Sequence, residues 1–153
     1  MLFRSGGFLK ITGRKKELIV TSGGKKVAPR AIEELLEQDE AILRCVLFGE
    51  GKRFLTALII PRKEKILEFA GARRIAFGDY GELLQNPKIY EWMESRIEGL
   101  SKNLASFEKI KYFALIEHDF SQSSGELTPT LKVRREAVLA RYERLLLPFY
   151  EKP

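Results

Sequence analysis

Two apolar runs separated by a short glycine-containing segment place the strongest limit on how this 153-residue chain folds. The first run is Ile42–Phe48, the second covers residues 54–60, and residues 49–53 between them are polar apart from two glycines. Runs of this length and composition predict strands, and a short connection that contains glycine predicts a β-hairpin. The chain is long enough for one domain with a hydrophobic core and too short for two domains that each bury a core of their own. We therefore expect one domain organised around this hairpin.

Helical patterns lie on both sides of the hairpin. Pro29 occupies a position typical of a first helical residue, after a strand candidate at residues 18–20 and a glycine loop. Asn86 and Pro87 predict the start of a long helix, whose apolar stripe consists of Ile89, Trp92, Met93, Ile97, Leu100 and Leu104. A further strand is predicted at residues 110–116, and a last helix from Val133 onward. Strands and helices without regular alternation predict an α+β fold, with a small, mainly antiparallel central sheet and helices on its faces.

Composition narrows the class of protein further. Hydrophobic residues make up 44% and charged residues 31% of the chain, which is typical of a globular protein. No apolar run approaches a membrane span and the N-terminus lacks the features of a signal peptide, so we expect a cytoplasmic protein. The single cysteine, Cys45, lies in an apolar stretch and is expected to be buried. One Cys and one His (His118) cannot form a zinc site, so no metal centre is predicted.

The net charge of +6 is compatible with nucleic acid, an anionic membrane surface or a polyanionic small molecule as a partner. The cations near the N-terminus include Arg14, whose planar guanidinium suits hydroxyls and phosphates, although a run of charges is usually a solvated turn. Residues 21–26 form a glycine turn followed by two lysines, but its spacing matches neither a Walker loop nor a dinucleotide fingerprint. Composition alone does not choose among these partners.

A third segment, residues 125–135, contains a lysine in a stretch of chain whose backbone freedom is restricted by a proline. Pro129 stiffens the segment, and Lys132 precedes the predicted last helix. A lysine there places a point charge on a carboxylate or phosphate oxygen. The ordinary alternative is an exposed lysine, although a cation near a helix N-terminus is slightly unfavourable.

These segments, in this order, resemble a known family. The sequence GFLKITGRKKELIVTSGGKKVAPRAIE (residues 7–33) is similar to the hinge motif of the adenylate-forming, AMP-binding enzymes in its long-chain acyl-CoA synthetase form. The sequence GELTPTLKVRR (residues 125–135) resembles the terminal motif of the same enzymes, and LASFEKIK (residues 104–111) resembles the weaker motif between them. The resemblance runs from Gly7 to about Leu146 and implies the α+β C-terminal subdomain of a long-chain fatty acid–CoA ligase.

The resemblance implies roles for single positions in the first half-reaction, which forms an acyl-adenylate from ATP and a fatty acid. Arg14 corresponds to the arginine that binds the ribose hydroxyls of the nucleotide. Lys132 corresponds to the catalytic lysine that bridges the acyl carboxylate and the nucleotide. Lys16 corresponds to the hinge residue about which the domain turns between the two half-reactions.

Other positions match the second half-reaction, in which coenzyme A takes the acyl group as a thioester. Ser22, Gly23 and Gly24 correspond to the loop that lines the pantetheine tunnel, and Lys25 lies where relatives contact a coenzyme A phosphate. The resemblance implies ATP or AMP, coenzyme A and Mg²⁺ in the full-length enzyme. We expect none of these to be bound by this chain alone.

The resemblance also implies a partner, a large N-terminal adenylation domain with the acyl pocket and most of the nucleotide site. Residues 1–6 do not resemble the stretch that precedes the hinge in relatives, so we treat them as an extension and residues 7–153 as the lid subdomain. Because the sequence lacks the large domain, we expect the chain alone to be inactive. Fatty acid and coenzyme A would be the substrates of the complete ligase, and its peripheral association with membranes stays open.

Two other classes of function compete with this interpretation. The first is a non-enzymatic module that binds a nucleotide, coenzyme A or a partner protein. The second is a basic nucleic-acid-binding domain, but the cations lie mostly on turns without interleaved aromatic residues, so we expect no nucleic-acid partner.

Overall fold

The computed structural model describes residues 17–151, which form an α+β domain as expected. The elements in chain order are β1 (Ile19–Val20), β2 (Lys26–Val27), α1 (Pro29–Glu37), β3 (Ile42–Phe48), β4 (Leu55–Pro61), α2 (Lys63–Ala72), α3 (Tyr80–Leu84), α4 (Pro87–Leu100), a 3₁₀ turn (Ser106–Glu108), β5 (Ile110–Leu115) and α5 (Arg135–Tyr150). The predicted strand near residues 8–12 lies outside the described residues.

The predicted hairpin is confirmed as the antiparallel pair β3–β4, in which Cys45 lies opposite Ile59. β5 adds to β4 in parallel, so the main sheet has the order β3-β4-β5. β1 and β2 form a separate antiparallel pair. Two of these three pairings are therefore antiparallel, and the parallel one needs the long crossover through α2, α3 and α4.

The main sheet has a hydrophobic core on each face, because alternate residues of a strand point to opposite sides. On what we call the first face, Leu47 and Ile59 pack with residues of α1, α2 and α4. On the second face, Val46 and Leu58 pack with residues of α5. All seven residues of β4 are buried. The domain therefore has three layers, with helices on both sides of the sheet.

Two predicted helix starts are confirmed, at Pro29 and at Asn86–Pro87. Pro29 is the first residue of α1. The Asn86 side chain accepts a hydrogen bond from the Lys88 N–H at 2.8 Å, with Pro87 as the first residue of α4. The helix ends at Leu100, so Leu104 of the predicted stripe lies beyond it, although its side chain still packs on the first-face core.

The remaining sequence predictions have mixed outcomes. Residues 71–85 were expected to be irregular or weakly helical, and they contain the short helix α3. Cys45 is buried as expected, and burial raises the pKa of its thiol well above the ordinary value, which makes it a poor nucleophile. His118 is exposed. Within residues 17–151, no helix has the length and apolar character needed to cross a membrane.

Candidate functional site

The glycine segment forms a tight turn between β1 and β2. The Thr21 N–H donates to the Lys25 carbonyl and the Gly24 N–H donates to the Thr21 carbonyl, both at 2.9 Å. Gly24 has φ +82°, a conformation that glycine adopts without steric cost. The sequence predicted a strand, a loop and a helix here, and the structure adds the strand β2 before the helix. Four predicted site residues share this exposed turn, namely Ser22, Gly23, Gly24 and Lys25.

The β3–β4 connection supports this turn from the side. The Ser22 N–H donates to the Lys52 carbonyl and the Gly51 N–H donates to the Val20 carbonyl, both at 2.9 Å. The Val20 N–H donates to a carboxylate oxygen of Glu50 at 3.1 Å. The glycine turn is therefore fixed through its backbone, and its outer surface stays open.

Cationic side chains lie near the glycine turn and on the neighbouring surface. The Lys25 Nζ is 5.5 Å from the centroid of the Phe107 ring, which belongs to the middle motif. The Lys52 Nζ is 5.4 Å from the Tyr150 ring, and the Lys111 Nζ is 5.3 Å from the Phe54 ring. Ammonium groups over aromatic faces keep their charge while their position is restricted. This surface is suited to anionic ligands.

Lys132 lies in a second tight structure, a small hairpin at residues 126–134. Leu127 forms an antiparallel bridge with Val133, and the Arg134 N–H donates to the Glu126 carbonyl at 2.8 Å. α5 begins at Arg135, not at Val133 as the sequence predicted, because this pairing keeps the preceding residues extended. Lys132 is therefore outside the first helical turn, and the expected penalty from the helix dipole does not apply to it.

The side chain of Lys132 is exposed, as expected for a residue that acts on a ligand outside the domain. Leu127 is buried in the second-face core and Val133 packs against that core. At the outer end, the Gln122 side chain donates to the Pro129 carbonyl at 3.3 Å. The lysine thus extends from a small hairpin that is itself attached to the core.

A partly buried ion pair joins the two candidate regions. The Glu33 side chain in α1 is 3% exposed, and its Oε2 accepts from the Arg135 Nη1 at 2.6 Å. The same carboxylate oxygen accepts from the Leu47 N–H at 2.7 Å, and Arg135 also donates to the Leu47 carbonyl at 2.8 Å. α1 follows the glycine turn and α5 follows the lysine hairpin. Glu33 therefore connects both segments to the central sheet.

The sequence contains one signal for this ion pair. Glu33 stands beside Ile32 and one turn before Leu36, so it falls on the buried side of α1. A carboxylate in that position predicts a buried partner, because such groups are rarely buried unpaired. Arg30 also contacts Glu33, at 3.3 Å. Burial acts to lower the pKa of Arg30, but Glu37, Glu33 and Glu34 together raise it, so its guanidinium stays charged.

A groove of about 720 Å³ separates the two regions. Its walls come from residues 17–19, from the β3–β4 connection and from α5, and they include Glu50 and Lys52 at the side of the glycine turn. Val133 and Arg134 line the side of the lysine hairpin. Neither residues 21–26 of the glycine turn nor Lys132 lines this groove.

Two predicted residues, Arg14 and Lys16, lie outside the described residues. Within residues 17–151, no three His, Cys, Asp or Glu side chains are grouped in a way that could hold a metal ion. The residues described here thus supply a lysine, a glycine turn and a basic surface.

Comparisons with known proteins agree with the fold and the motifs. The family model of the AMP-binding enzyme C-terminal domain matches residues 16–153. The chain is 35% identical over 150 residues to the long-chain-fatty-acid–CoA ligase FadD15 of Mycobacterium tuberculosis, covering 95% of this chain and 24% of that protein. It is 33% identical over 165 residues to the human long-chain-fatty-acid–CoA ligase ACSBG1, covering 95% of this chain and 23% of that protein. The chain thus spans about a quarter of the length of these relatives.

Solved structures share the fold at lower identity. The adenylation domain of a carboxylate reductase from Mycobacterium chelonae superposes with a TM-score of 0.75 at 18% identity, covering 92% of this chain and 20% of that chain. The corresponding domain from Segniliparus rugosus, in complex with AMP and a co-purified carboxylic acid, superposes with a TM-score of 0.72 at 20% identity, covering 91% and 20% of the two chains.

Proposed function

This chain belongs to the AMP-binding enzyme C-terminal domain family, and from that premise we propose that it is the mobile C-terminal part of a long-chain fatty acid–CoA ligase. The complete enzyme would join a fatty acid to ATP as an acyl-adenylate and then transfer the acyl group to coenzyme A. A large N-terminal adenylation domain would supply the acyl pocket and most of the nucleotide site. We place the ligase in the cytoplasm, and any association with membranes belongs to the complete enzyme.

The observation that carries this proposal is the separation of the two candidate regions. Ile19 and Val27, which flank the glycine turn, pack in the first-face core, whereas Leu127 and Val133 of the lysine hairpin pack on the second-face core. Two different surfaces on one domain allow each step of a two-step reaction to use its own surface. A domain that turns about a hinge, here Lys16, would present one region and then the other.

Lys132 is suited to the first step. Forming an acyl-adenylate brings an anionic carboxylate onto an anionic α-phosphate, and a positioned ammonium group offsets that repulsion in the transition state. The exposed position of Lys132 lets its ammonium group extend into a site formed mainly by another domain. Arg14, two residues before the proposed hinge, would bind the ribose hydroxyls of the nucleotide.

The glycine turn is suited to the second step. Nothing lies within 4 Å of a Cβ added at Gly23, and its φ is not in the left-handed range. The described domain therefore gives no internal reason for glycine at position 23, which supports close approach of an outside group to its backbone. The narrow pantetheine arm of coenzyme A is such a group, with Ser22 and Gly24 beside it and Lys25 near its phosphates.

The cofactors divide between the two domains in this proposal. When bound, ATP supplies the activating nucleotidyl group and coenzyme A supplies the thiol. Mg²⁺ would be held by the large domain and the nucleotide phosphates, since it usually binds one or two carboxylates together with substrate phosphates.

A chimera tests the proposal. The C-terminal part of FadD15 that aligns with this chain is replaced by this chain, with intact FadD15 as the positive control. We expect ATP-, fatty acid- and coenzyme A-dependent acyl-CoA formation by the chimera and none by this chain alone. A folded chimera that forms no acyl-CoA, together with tight coenzyme A or nucleotide binding by the isolated chain, would favour the non-enzymatic binding module. Turnover by the isolated chain would contradict the proposed need for a large domain.

A further inference from the structure

The lysine hairpin closes through a loop of three residues, Pro129, Thr130 and Leu131. The Leu131 N–H donates to the Thr128 carbonyl at 2.8 Å, and the Thr128 N–H donates to the Lys132 carbonyl at 2.8 Å. Leu131 has φ +66°. These features match the three-residue hairpin loop, in which a turn is followed by one left-handed residue that forms a bulge.

A bulge of this kind leaves one backbone group without its usual partner. The Thr128 carbonyl accepts from the Leu131 N–H, and the Lys132 N–H has no backbone acceptor among residues 17–151. The Thr128 side chain fills this gap, since its Oγ1 accepts from the Lys132 N–H at 3.0 Å. Both backbone polar groups of Lys132 are therefore bonded to a single residue, Thr128.

The loop also contains a residue whose side chain disfavours the backbone conformation that it adopts. Leucine in the left-handed region is sterically unfavourable, and the Leu131 side chain is 61% exposed, so packing does not compensate for it. Such a conformation persists only where the surrounding contacts fix it more than once. The Thr128 hydroxyl is one of those contacts, and the Thr130 hydroxyl lies 3.0 Å from it.

From these contacts we infer that Thr128 is a positioning residue for Lys132. Its hydroxyl fixes the backbone of Lys132, from which the ammonium group extends. The Lys132 side chain therefore reaches the reacting carboxylate and phosphate from a fixed backbone position. This inference rests on the proposed role of Lys132 in acyl-adenylate formation. Thr128 itself would not touch the substrate.

The first test uses the full chain and a matched pair of variants. Thr128→Val removes the acceptor with little change in shape and keeps the backbone bond to Lys132, whereas Thr128→Ser keeps the hydroxyl. Amide exchange of Lys132 is measured by NMR on ¹⁵N-labelled protein. We expect exchange to be about fivefold faster in the valine variant, as for the loss of one hydrogen bond, and close to the parent rate in the serine variant. Equal exchange in all three proteins would overturn the inference.

The second test separates the half-reactions in the FadD15 chimera. We expect Thr128→Val to slow acyl-adenylate formation by on the order of tenfold through kcat, with little change in the KM for ATP, because displacement of a catalytic group lowers rate more than binding. Transfer from preformed acyl-adenylate to coenzyme A should keep its rate, and Thr128→Ser should restore adenylation.

The outcomes distinguish a failure of the Thr128 inference from a failure of the proposed function on which it rests. If Lys132→Ala abolishes adenylation and Thr128→Val does not slow it, the positioning role is wrong and the proposed function stands. If Lys132→Ala leaves adenylation unchanged, the proposed role of Lys132 fails and the inference fails with it. If the parent chimera forms no acyl-adenylate, the proposed function itself fails. Equal slowing of both half-reactions by Thr128→Val would indicate a general structural role and would overturn the inference.

Discussion

The glycine turn and the lysine hairpin have the same backbone geometry, but different residue types occupy the left-handed position. Each contains one residue in the left-handed region, Gly24 with φ +82° and Leu131 with φ +66°. Glycine adopts this conformation freely, whereas for a leucine it costs about 1–2 kcal/mol. Both turns also contain a threonine hydroxyl that accepts from the backbone N–H of the closing lysine, at 3.2 Å in the glycine turn and 3.0 Å in the lysine hairpin. The two regions therefore share their hydrogen bonds and differ in the residue at the left-handed position.

The difference corresponds to what each region presents. The glycine turn offers bare backbone, to which a ligand can come close. The lysine hairpin offers one long side chain, whose usefulness depends on where its backbone is fixed. An added side chain would block close approach to the glycine turn. The direction of the Lys132 side chain depends instead on the hydrogen bonds that hold its hairpin. Variants in the two regions should therefore fail in different ways.

The largest effect should come from the residue that joins the two regions. Glu33→Ala leaves Arg135 without its buried carboxylate and leaves the Leu47 N–H without an acceptor. Breaking a buried pair in this way should lower the free energy of unfolding by about 3–5 kcal/mol, measured by urea denaturation. Glu34→Ala is the control, because its side chain is 62% exposed, and it should change stability by less than about 0.5 kcal/mol. Similar losses in both variants would contradict the connecting role of Glu33.

The second largest effect should distinguish the two regions by the half-reaction that a variant in each region slows. In the chimera, Lys132→Ala should slow acyl-adenylate formation by about 100-fold, the usual loss when one group that stabilises a developing charge is removed. Lys25→Ala should leave adenylation unchanged and weaken the coenzyme A step instead. Rates of the two half-reactions, measured separately, check this expectation. A loss of both half-reactions in either variant would remove the proposed division between the regions.

A smaller effect should distinguish two neighbouring glycines. Gly24→Ala forces alanine into the left-handed region and should lower the free energy of unfolding by about 1 kcal/mol, although no atom obstructs its Cβ. Gly23→Ala has open space and an ordinary φ, so its stability should stay within about 0.5 kcal/mol of the parent. In the chimera, however, Gly23→Ala should slow thioester formation. If Gly23→Ala were fully active, the proposed close approach of coenzyme A at this position would be wrong.

The smallest effect should have the opposite sign. Leu131→Gly relieves the left-handed strain but gives the unfolded chain more freedom, so stability should rise by only about 0.5 kcal/mol. Thermal unfolding of the two proteins measures this difference. A clear loss of stability would show that the Leu131 side chain has a packing role that its 61% exposure does not suggest.

Local patterns allowed the parts of the fold that depend on near neighbours to be predicted. The β3–β4 hairpin and the starts of α1 and α4 follow from glycine, proline and asparagine at fixed offsets from apolar residues. The parallel β4–β5 pairing was not predicted, because it depends on how α2, α3 and α4 pack and not on local spacing. β2 is two residues long and leaves almost no periodic pattern.

The roles of the candidate site residues stay predictions, and the local geometry around them could not be predicted from the sequence. The resemblance indicated Lys132 and the glycine turn, and the structure places both on exposed turns. The hairpin around Lys132 was not predicted, since Leu131 carries no sign of a left-handed conformation. The Glu33–Arg135 pair joins residues far apart in the chain, and only the position of Glu33 on the apolar side of α1 indicated it.

The order β3-β4-β5 also has a consequence for how the domain folds. β3 and β4 are joined by a short connection, and hairpins form within microseconds. β5 pairs with β4 only after the crossover of residues 62–109 has closed, and distant pairing of this kind slows folding. The glycine turn is hydrogen-bonded to the β3–β4 connection, so it can form early. The lysine hairpin follows β5 in the chain and packs against a core that β5 helps to complete, so we expect Lys132 to reach its place last.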